Sequence, residues 1–125
     1  MDLKINVDTF GQDSQDWLAS AEGTDRARTI TLDLTTFTAG THYPNGYLKS
    51  GYALKKLGTG KYGLFSVGDE SAATIAGHLL TPVRVPTGAT RVAGALHWHG
   101  SVLAAKCPHT VNAAGQATAK QITYF

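Results

Sequence analysis

Two histidines one residue apart, His97 and His99, are the residues of this chain with the clearest chemical potential. On a β-strand such a pair shares one face, and imidazoles placed in this way can ligate zinc. A third ligand would have to come from His78, His109 or Cys107, which lie scattered without the usual spacing of a zinc site. A pair of histidines at a subunit interface or on a crowded core face is the simpler interpretation, so we expect no metal and no other cofactor.

The other residue types that catalysis uses stand apart from one another. Cys107 would need a neighbouring base and an electropositive setting to act as a nucleophile, and Pro108 works against convergence of its side chain with that of His109. The run Gly-Thr-Gly-Lys at 58–61 is shorter than the pattern of a phosphate-binding loop. Because no nucleophile elbow is present either, we expect a protein that is not an enzyme.

The composition is typical of one small domain with a lightly charged surface. The chain has 125 residues, a formal net charge of +2 and 16% charged residues. Low charge favours a surface that other subunits cover, and the small net charge gives no reason to expect a nucleic-acid partner. The single cysteine fits a reducing cytoplasm, and no apolar run reaches the length of a membrane span. We therefore expect a soluble protein that is made in the cytosol.

Charge divides the chain into two parts. Residues 1–33 hold seven of the nine carboxylates, whereas the remainder is basic. This asymmetry predicts an acidic N-terminal arm beside a basic body. The arm would lie on its own body, on a neighbouring copy or on a basic strip of a partner, or it would be a solvated polar terminus.

Five apolar residues stand out in the arm. Leu3, Ile5 and Val7 alternate with polar residues, which predicts a short strand. That strand either adds to the sheet edge of another protein or is the first strand of the domain's own sheet. Trp17 and Leu18 form an apolar island in a polar stretch, so they either pack on the body or fill a pocket of a partner.

The body consists of short strand patterns separated by turns. Strand signals span residues 29–35, 52–57, 61–65, 92–103 and 118–125. The second and third of these flank a glycine-rich loop and predict a hairpin. With 14 glycines and little helix, the pattern predicts an all-β or β-dominated fold with a minor α component. We expect a small compact β-barrel or sandwich-like body with an extended N-terminal arm.

Several motifs together carry a family resemblance. They are the Thr-rich strand ending in Phe37, Tyr-Pro-Asn-Gly-Tyr at 43–47, Ser-Gly at 50–51, Trp-Leu at 17–18, Gly-Thr-Asp at 23–25 and Gly-His-Leu-Leu-Thr-Pro-Val at 77–83. In these motifs the chain resembles the lambda-type head-decoration proteins of tailed bacteriophages. The similarity is closest to the decoration proteins of phages that infect actinobacteria, and it covers most of the chain.

The resemblance implies a capsid decoration, or cement, protein. Proteins of this type bind the outer surface of the mature icosahedral head as homotrimers at threefold positions and stabilise the shell against internal DNA pressure. Their partners are the major capsid protein and copies of themselves, without direct contact to nucleic acid or membrane. The implied location is the outer capsid surface of the virion, after assembly in the bacterial cytoplasm.

Carried over to this chain, the resemblance implies a capsid-binding N-terminal arm over 1–27 and a β-rich body over 28–125. The capsid-binding residues would be Leu3, Ile5, Val7, Trp17 and Leu18. The body would form the trimer, and we place a possible trimer interface at His97, Trp98 and His99.

Two other functions fit the same composition. A different virion structural protein, such as a tail-tube or spike component, would also be β-rich and lightly charged. A carbohydrate-binding β-module would need a cluster of exposed aromatic side chains, which Tyr43, Tyr47, Tyr52 and Tyr62 would supply if they met on one face. Hexameric rings would indicate a tail tube, and binding to glycans would indicate the module.

Overall fold

The computed structural model describes residues 15–125, and strands dominate this part of the chain. In chain order the strands are β1 (Arg28–Asp33), β2 (Tyr47–Leu48), β3 (Ala53–Lys56), β4 (Tyr62–Leu64), β5 (Gly77–Leu79), β6 (Val83–Arg84), β7 (Arg91–His97), β8 (Gly100–Val102) and β9 (Ile122–Tyr124). Short α-helices span Ala39–His42 and Ala113–Gln116, and 3-10 helices span Thr24–Arg26, Leu34–Thr36, Asp69–Ser71 and Ala104–Lys106. The predicted β-dominated fold is confirmed. The strand predicted over residues 3–7 lies outside the described residues.

Five of the strands close into a barrel in the order β1-β4-β3-β5-β7, with β7 returning to β1. The longest pairing is antiparallel between β1 and β7, from Arg28 opposite Leu96 to Asp33 opposite Arg91. The hairpin predicted around the glycine-rich loop is present as the antiparallel pair β3–β4, and β4 runs parallel to β1. Closure leaves the barrel without a free edge of its own.

Alternation along the strands fills the barrel with apolar side chains. On β1, Ile30 and Leu32 are buried, whereas Thr29 and Thr31 are exposed, as the period-two pattern predicts. The buried cluster consists of Ile30, Leu32, Leu34, Phe37, Leu48, Tyr52, Leu54, Leu64, Leu79, Val85 and Leu96. None of the helices between residues 15 and 125 has the length and apolar character needed to cross a bilayer.

Two small sheets flank the barrel. One is the antiparallel pair β2–β6, and the other is the parallel pair β8–β9. The strand predicted over 92–103 is divided between β7 and β8, because Gly100 has a φ of 149° that favours glycine and breaks the regular strand. Residues 113–116 form a helical turn, in which the side chain of Asn112 accepts a hydrogen bond from the backbone N–H of Gly115.

Candidate functional site at the anchor of the N-terminal segment

Trp17 lies in a pocket of the body. Its side chain is 1% exposed, and its indole N–H donates to Oγ of Ser50 at 2.9 Å. The ring stacks on His78 and meets His97 edge-on, with centroid distances of 5.8 Å in both cases. Of the two alternatives for Trp17, the structure shows packing on the body. Held in this way, the indole of Trp17 is covered by its own protomer.

The backbone at Trp17 is added to β8 as an outer strand. Leu18 forms an antiparallel bridge with Val102. The N–H of Ala19 donates to the carbonyl oxygen of Ser101 at 3.0 Å, and the N–H of Leu103 donates to the carbonyl oxygen of Trp17 at 2.6 Å. Because β9 pairs with β8 on its other side, residues 17–19 extend this small sheet by one strand. We call the contact of residues 17–24 with the body the anchor.

Two glycines let the backbone of the anchor come into direct contact with the backbone of the turn after β7. A Cβ atom at Gly23 would overlap the carbonyl oxygen of His99, and one at Gly100 would lie 2.5 Å from the carbonyl oxygen of Glu22. Gly23 also has a φ of 82°, in the left-handed region that favours glycine. Any side chain at these positions would force the two backbones apart.

His78 is fully buried beneath Trp17, and both of its ring nitrogens have partners. Nδ1 lies 2.8 Å from the carbonyl oxygen of Gly51, which can only accept, so Nδ1 carries the proton. Nε2 then accepts from the hydroxyl of Tyr124 at 2.7 Å. Burial lowers the pKa of His78 to about 4, an effect that the hydrogen bond to Gly51 only partly offsets. The ring is therefore neutral at pH 7.

Cys107 lies beside His78 but is not set up as a nucleophile. Its Sγ is 4.0 Å from Nδ1 of His78, and that nitrogen already donates to Gly51. Burial raises the pKa of the Cys107 thiol to about 12. Because the reactive species is the thiolate, this arrangement favours an inert thiol.

His97 is also fully buried, and neither of its ring nitrogens has a hydrogen-bond partner. Burial lowers the pKa of His97, and the neighbouring His99 lowers it further. Buried polar atoms without partners are rare in native proteins. The expected position of His97 at a trimer interface is not the one that the structure gives it, because its side chain points into the protomer, where it packs against Trp17.

Trp98 and His99 remain partly exposed next to the anchor. Nε1 of Trp98 donates to the carbonyl oxygen of Arg26 at 2.7 Å, and Nδ1 of His99 lies 4.0 Å from Oε2 of Glu22. Regular strand structure ends at His97, so the shared face expected for His97 and His99 is not formed. Within residues 15–125 no group of three or more His, Cys, Asp or Glu side chains is placed to hold a metal ion.

The four tyrosines considered for carbohydrate binding do not form an exposed platform. Tyr52 is 4% exposed and belongs to the barrel core, with Tyr43 and Tyr62 packed against that core. The ring of Tyr52 contacts His109, whose pKa is lowered to about 4 by burial and only partly restored by the backbone of Phe65. Three of the four tyrosines therefore contribute to the barrel core, and Tyr47 on β2 is half-buried.

Sequence reasoning singled out Trp17 but not its contacts. Ser50 and Gly23 entered only as parts of the motifs of the family resemblance, and Gly100 did not enter, because none of the three carries a signature of a contact with Trp17 or with the anchor. Of the residues expected to contact a capsid, Leu3, Ile5 and Val7 lie outside the described residues.

Comparisons of the chain with known protein families, with curated proteins and with solved structures give no match.

Proposed function

We propose that this chain is a bacteriophage capsid decoration protein. It binds the outer surface of the mature icosahedral head as trimers at threefold positions and stabilises the shell. The motif resemblance and the β-dominated body support this proposal. The observation that carries it is the anchor: Trp17 is buried and residues 17–19 pair with β8, so the segment before Trp17 starts from a fixed point on the body.

The proposed capsid contact lies before Trp17. Leu3, Ile5 and Val7 carry the alternating apolar side chains that suit addition to the edge of another protein's sheet. Acidic residues of the same segment, Asp2 and Asp8 among them, favour a basic strip on the shell. In this proposal Trp17 fixes the arm to the body and does not itself touch the capsid.

The body supplies the proposed trimer. Trp98 and His99 are partly exposed beside the anchor and are the residues proposed for contact between protomers, whereas His97 is withdrawn because it is buried. A trimer engages three equivalent sites, and the second and third contacts form at a high effective concentration. A protein that binds only the mature shell stabilises it by mass action, so no catalytic step is required.

Removal of residues 1–14 tests the capsid contact without disturbing the anchor. The truncated chain should fold with an unchanged circular dichroism spectrum and an unchanged oligomeric mass, but it should no longer sediment with expanded heads of the phage that encodes it. A matched pair of variants sharpens the test: serine at Leu3, Ile5 and Val7 should abolish binding. Serine at Lys4 and Asn6, the polar residues that alternate with them, should largely preserve it. Full binding by the truncated chain would contradict the arm assignment.

The oligomeric state separates the proposal from its alternatives. Light scattering on the purified chain should give the mass of three protomers, or should do so once shells are added. Hexameric rings would instead favour a tail-tube component. Specific binding to a glycan array together with a monomeric mass would favour a carbohydrate-binding module.

A further inference from the structure

The two buried histidines under Trp17 face each other across two strands. His78 on β5 is directly opposite His97 on β7. Side chains opposite one another in an antiparallel pair have Cβ atoms about 5 Å apart and interact directly. Trp17 covers both rings, stacking on one at an interplanar angle of 22° and meeting the other at 69°. One indole therefore closes a pocket that holds two imidazoles.

The immediate surroundings of His78 offer a positive charge little compensation. The ring contacts Gly51 and the hydroxyl of Tyr124, with the thiol of Cys107 at 4.0 Å. The other charges that act on it are those of His97 and His109, and both oppose protonation.

The surroundings of His97 likewise offer a positive charge little compensation. The neighbouring His99 also opposes its protonation. Asp16, just before the anchor, and Glu22 within it carry carboxylates, and both residues are exposed to solvent. An imidazolium is attracted to an aromatic face such as that of Trp17, but an unpaired charge held away from water costs more than this attraction returns.

We propose that Trp17, His78 and His97 form an acid-sensitive latch, which holds the anchor closed at neutral pH and releases residues 17–19 from β8 as the pH falls. The latch is a property of the isolated chain and does not depend on what the arm binds. In the closed state both rings are neutral. When Trp17 leaves, water reaches the two rings, each takes up a proton, and two like charges on opposite residues hinder reclosure.

The expected size of the effect follows from proton linkage. The pKa of His78 is about 4 in the closed state against an ordinary value of 6.5, and that of His97 is also lowered. The open state therefore binds more protons below pH 6.5, and for His78 alone the opening equilibrium constant rises about tenfold for each unit by which the pH falls, until the pH nears 4. His97, whose pKa burial also lowers in the closed state, makes this rise steeper.

Amide hydrogen exchange on the full chain measures this opening directly. The amides of Ala19 and Leu103 are protected by the bonds that join residues 17–19 to β8. After correction for intrinsic exchange rates, their protection should fall steeply below pH 6.5. The amides between β1 and β7 should keep their protection over the same range. Loss of both sets together would show global unfolding and would overturn the latch, as would protection that does not change with pH.

Replacement of one histidine should reduce by one the number of histidines that can take up a proton when the anchor opens. His97→Leu removes a ring that makes no hydrogen bond, so it deletes the charge change without leaving a partner unsatisfied. Its opening constant should rise by about tenfold for each unit by which the pH falls, less steeply than that of the wild type. His99→Gln is the matched control, because it removes a partly exposed imidazole and leaves both buried rings in place, so its dependence should stay steeper than that of His97→Leu. An unchanged dependence in His97→Leu would contradict the role of His97.

Tryptophan emission gives a second readout that does not require His97→Leu to fold. The chain has two tryptophans, so Trp98→Phe leaves Trp17 as the single reporter. Its emission should shift to longer wavelength as the pH falls from 7.5 to 4.5, while the far-ultraviolet circular dichroism stays constant. An emission maximum that moves only when the circular dichroism changes would overturn the proposal.

Discussion

The β1–β7 pair of the barrel and the anchor around Trp17 are held together in different ways. Between β1 and β7 the same kind of contact repeats along the register from Arg28 to Asp33, and alternate side chains enter one core. The anchor depends on contacts that occur once: one indole between two imidazoles, and a backbone approach that Gly23 permits. Repetition spreads the stability of the β1–β7 pair over many contacts, whereas in the proposed latch the anchor opens while the barrel stays folded.

A core deletion in the barrel should have the largest effect. Leu32 is fully buried in the cluster inside the barrel. Leu32→Ala should lower the free energy of unfolding by about 3 kcal/mol, from lost apolar burial and the cavity that remains. Thr31→Ala, on the exposed face of the same strand, should lower it by less than about 1 kcal/mol. Urea unfolding at pH 7 measures both, and equal losses would contradict the assigned faces of β1.

The repeated contacts are also the ones that the sequence predicts. Alternation from Thr29 onward correctly indicated which side chains of β1 enter the core, and the glycine-rich loop correctly indicated the β3–β4 hairpin. Both features depend on residues close together in the chain. A period of two is the direct consequence of strand geometry, so it survives in any context that buries one face.

The anchor could not be derived in the same way. The apolar pattern runs on past His97, so nothing in it shows that the strand ends there and resumes at Gly100. A histidine in such a pattern fits an interface or a core equally well. What decides in favour of the core is contact with Trp17, which is distant in the sequence. Spacing carries no information about such a single long-range contact.

Two glycines in the same backbone conformation allow the close approach at the anchor to be tested. Gly23 and Gly46 have φ values of 82° and 86°, so alanine at either position should cost about 1 kcal/mol in backbone strain. A Cβ at Gly46 meets no atom within 4 Å, whereas one at Gly23 overlaps the backbone of His99. Gly23→Ala should therefore cost about 2 kcal/mol more than Gly46→Ala in urea unfolding, and should expose Trp17. Equal losses of unfolding free energy in the two variants would show that the close approach of Gly23 to His99 does not affect stability.

An ion pair outside both regions should give the smallest effect. Oδ2 of Asp69 accepts from Nζ of Lys55 at 2.8 Å and from the backbone N–H of Ser66 at 2.8 Å. The hydrogen bond from Lys55 and then that from Ser66 lower the pKa of Asp69. Because both side chains are partly exposed, Asp69→Asn should lower the free energy of unfolding by only about 1 kcal/mol at pH 7.

The stability lost in Asp69→Asn depends on pH in a different range from the opening of the latch. A carboxyl whose folded-state pKa lies below its ordinary value of 3.8 adds stability that is fully present above 3.8 and disappears as the pH falls through the folded-state value. The buried histidines act at higher pH: they reduce stability from 6.5 downward, and for His78 the loss is complete near 4. The difference between wild type and Asp69→Asn should therefore stay constant while the anchor opens, and should vanish at lower pH. If the difference already disappeared as the anchor opened, Asp69 and the anchor would be coupled. That result would contradict the independence of the Lys55–Asp69 pair from the anchor.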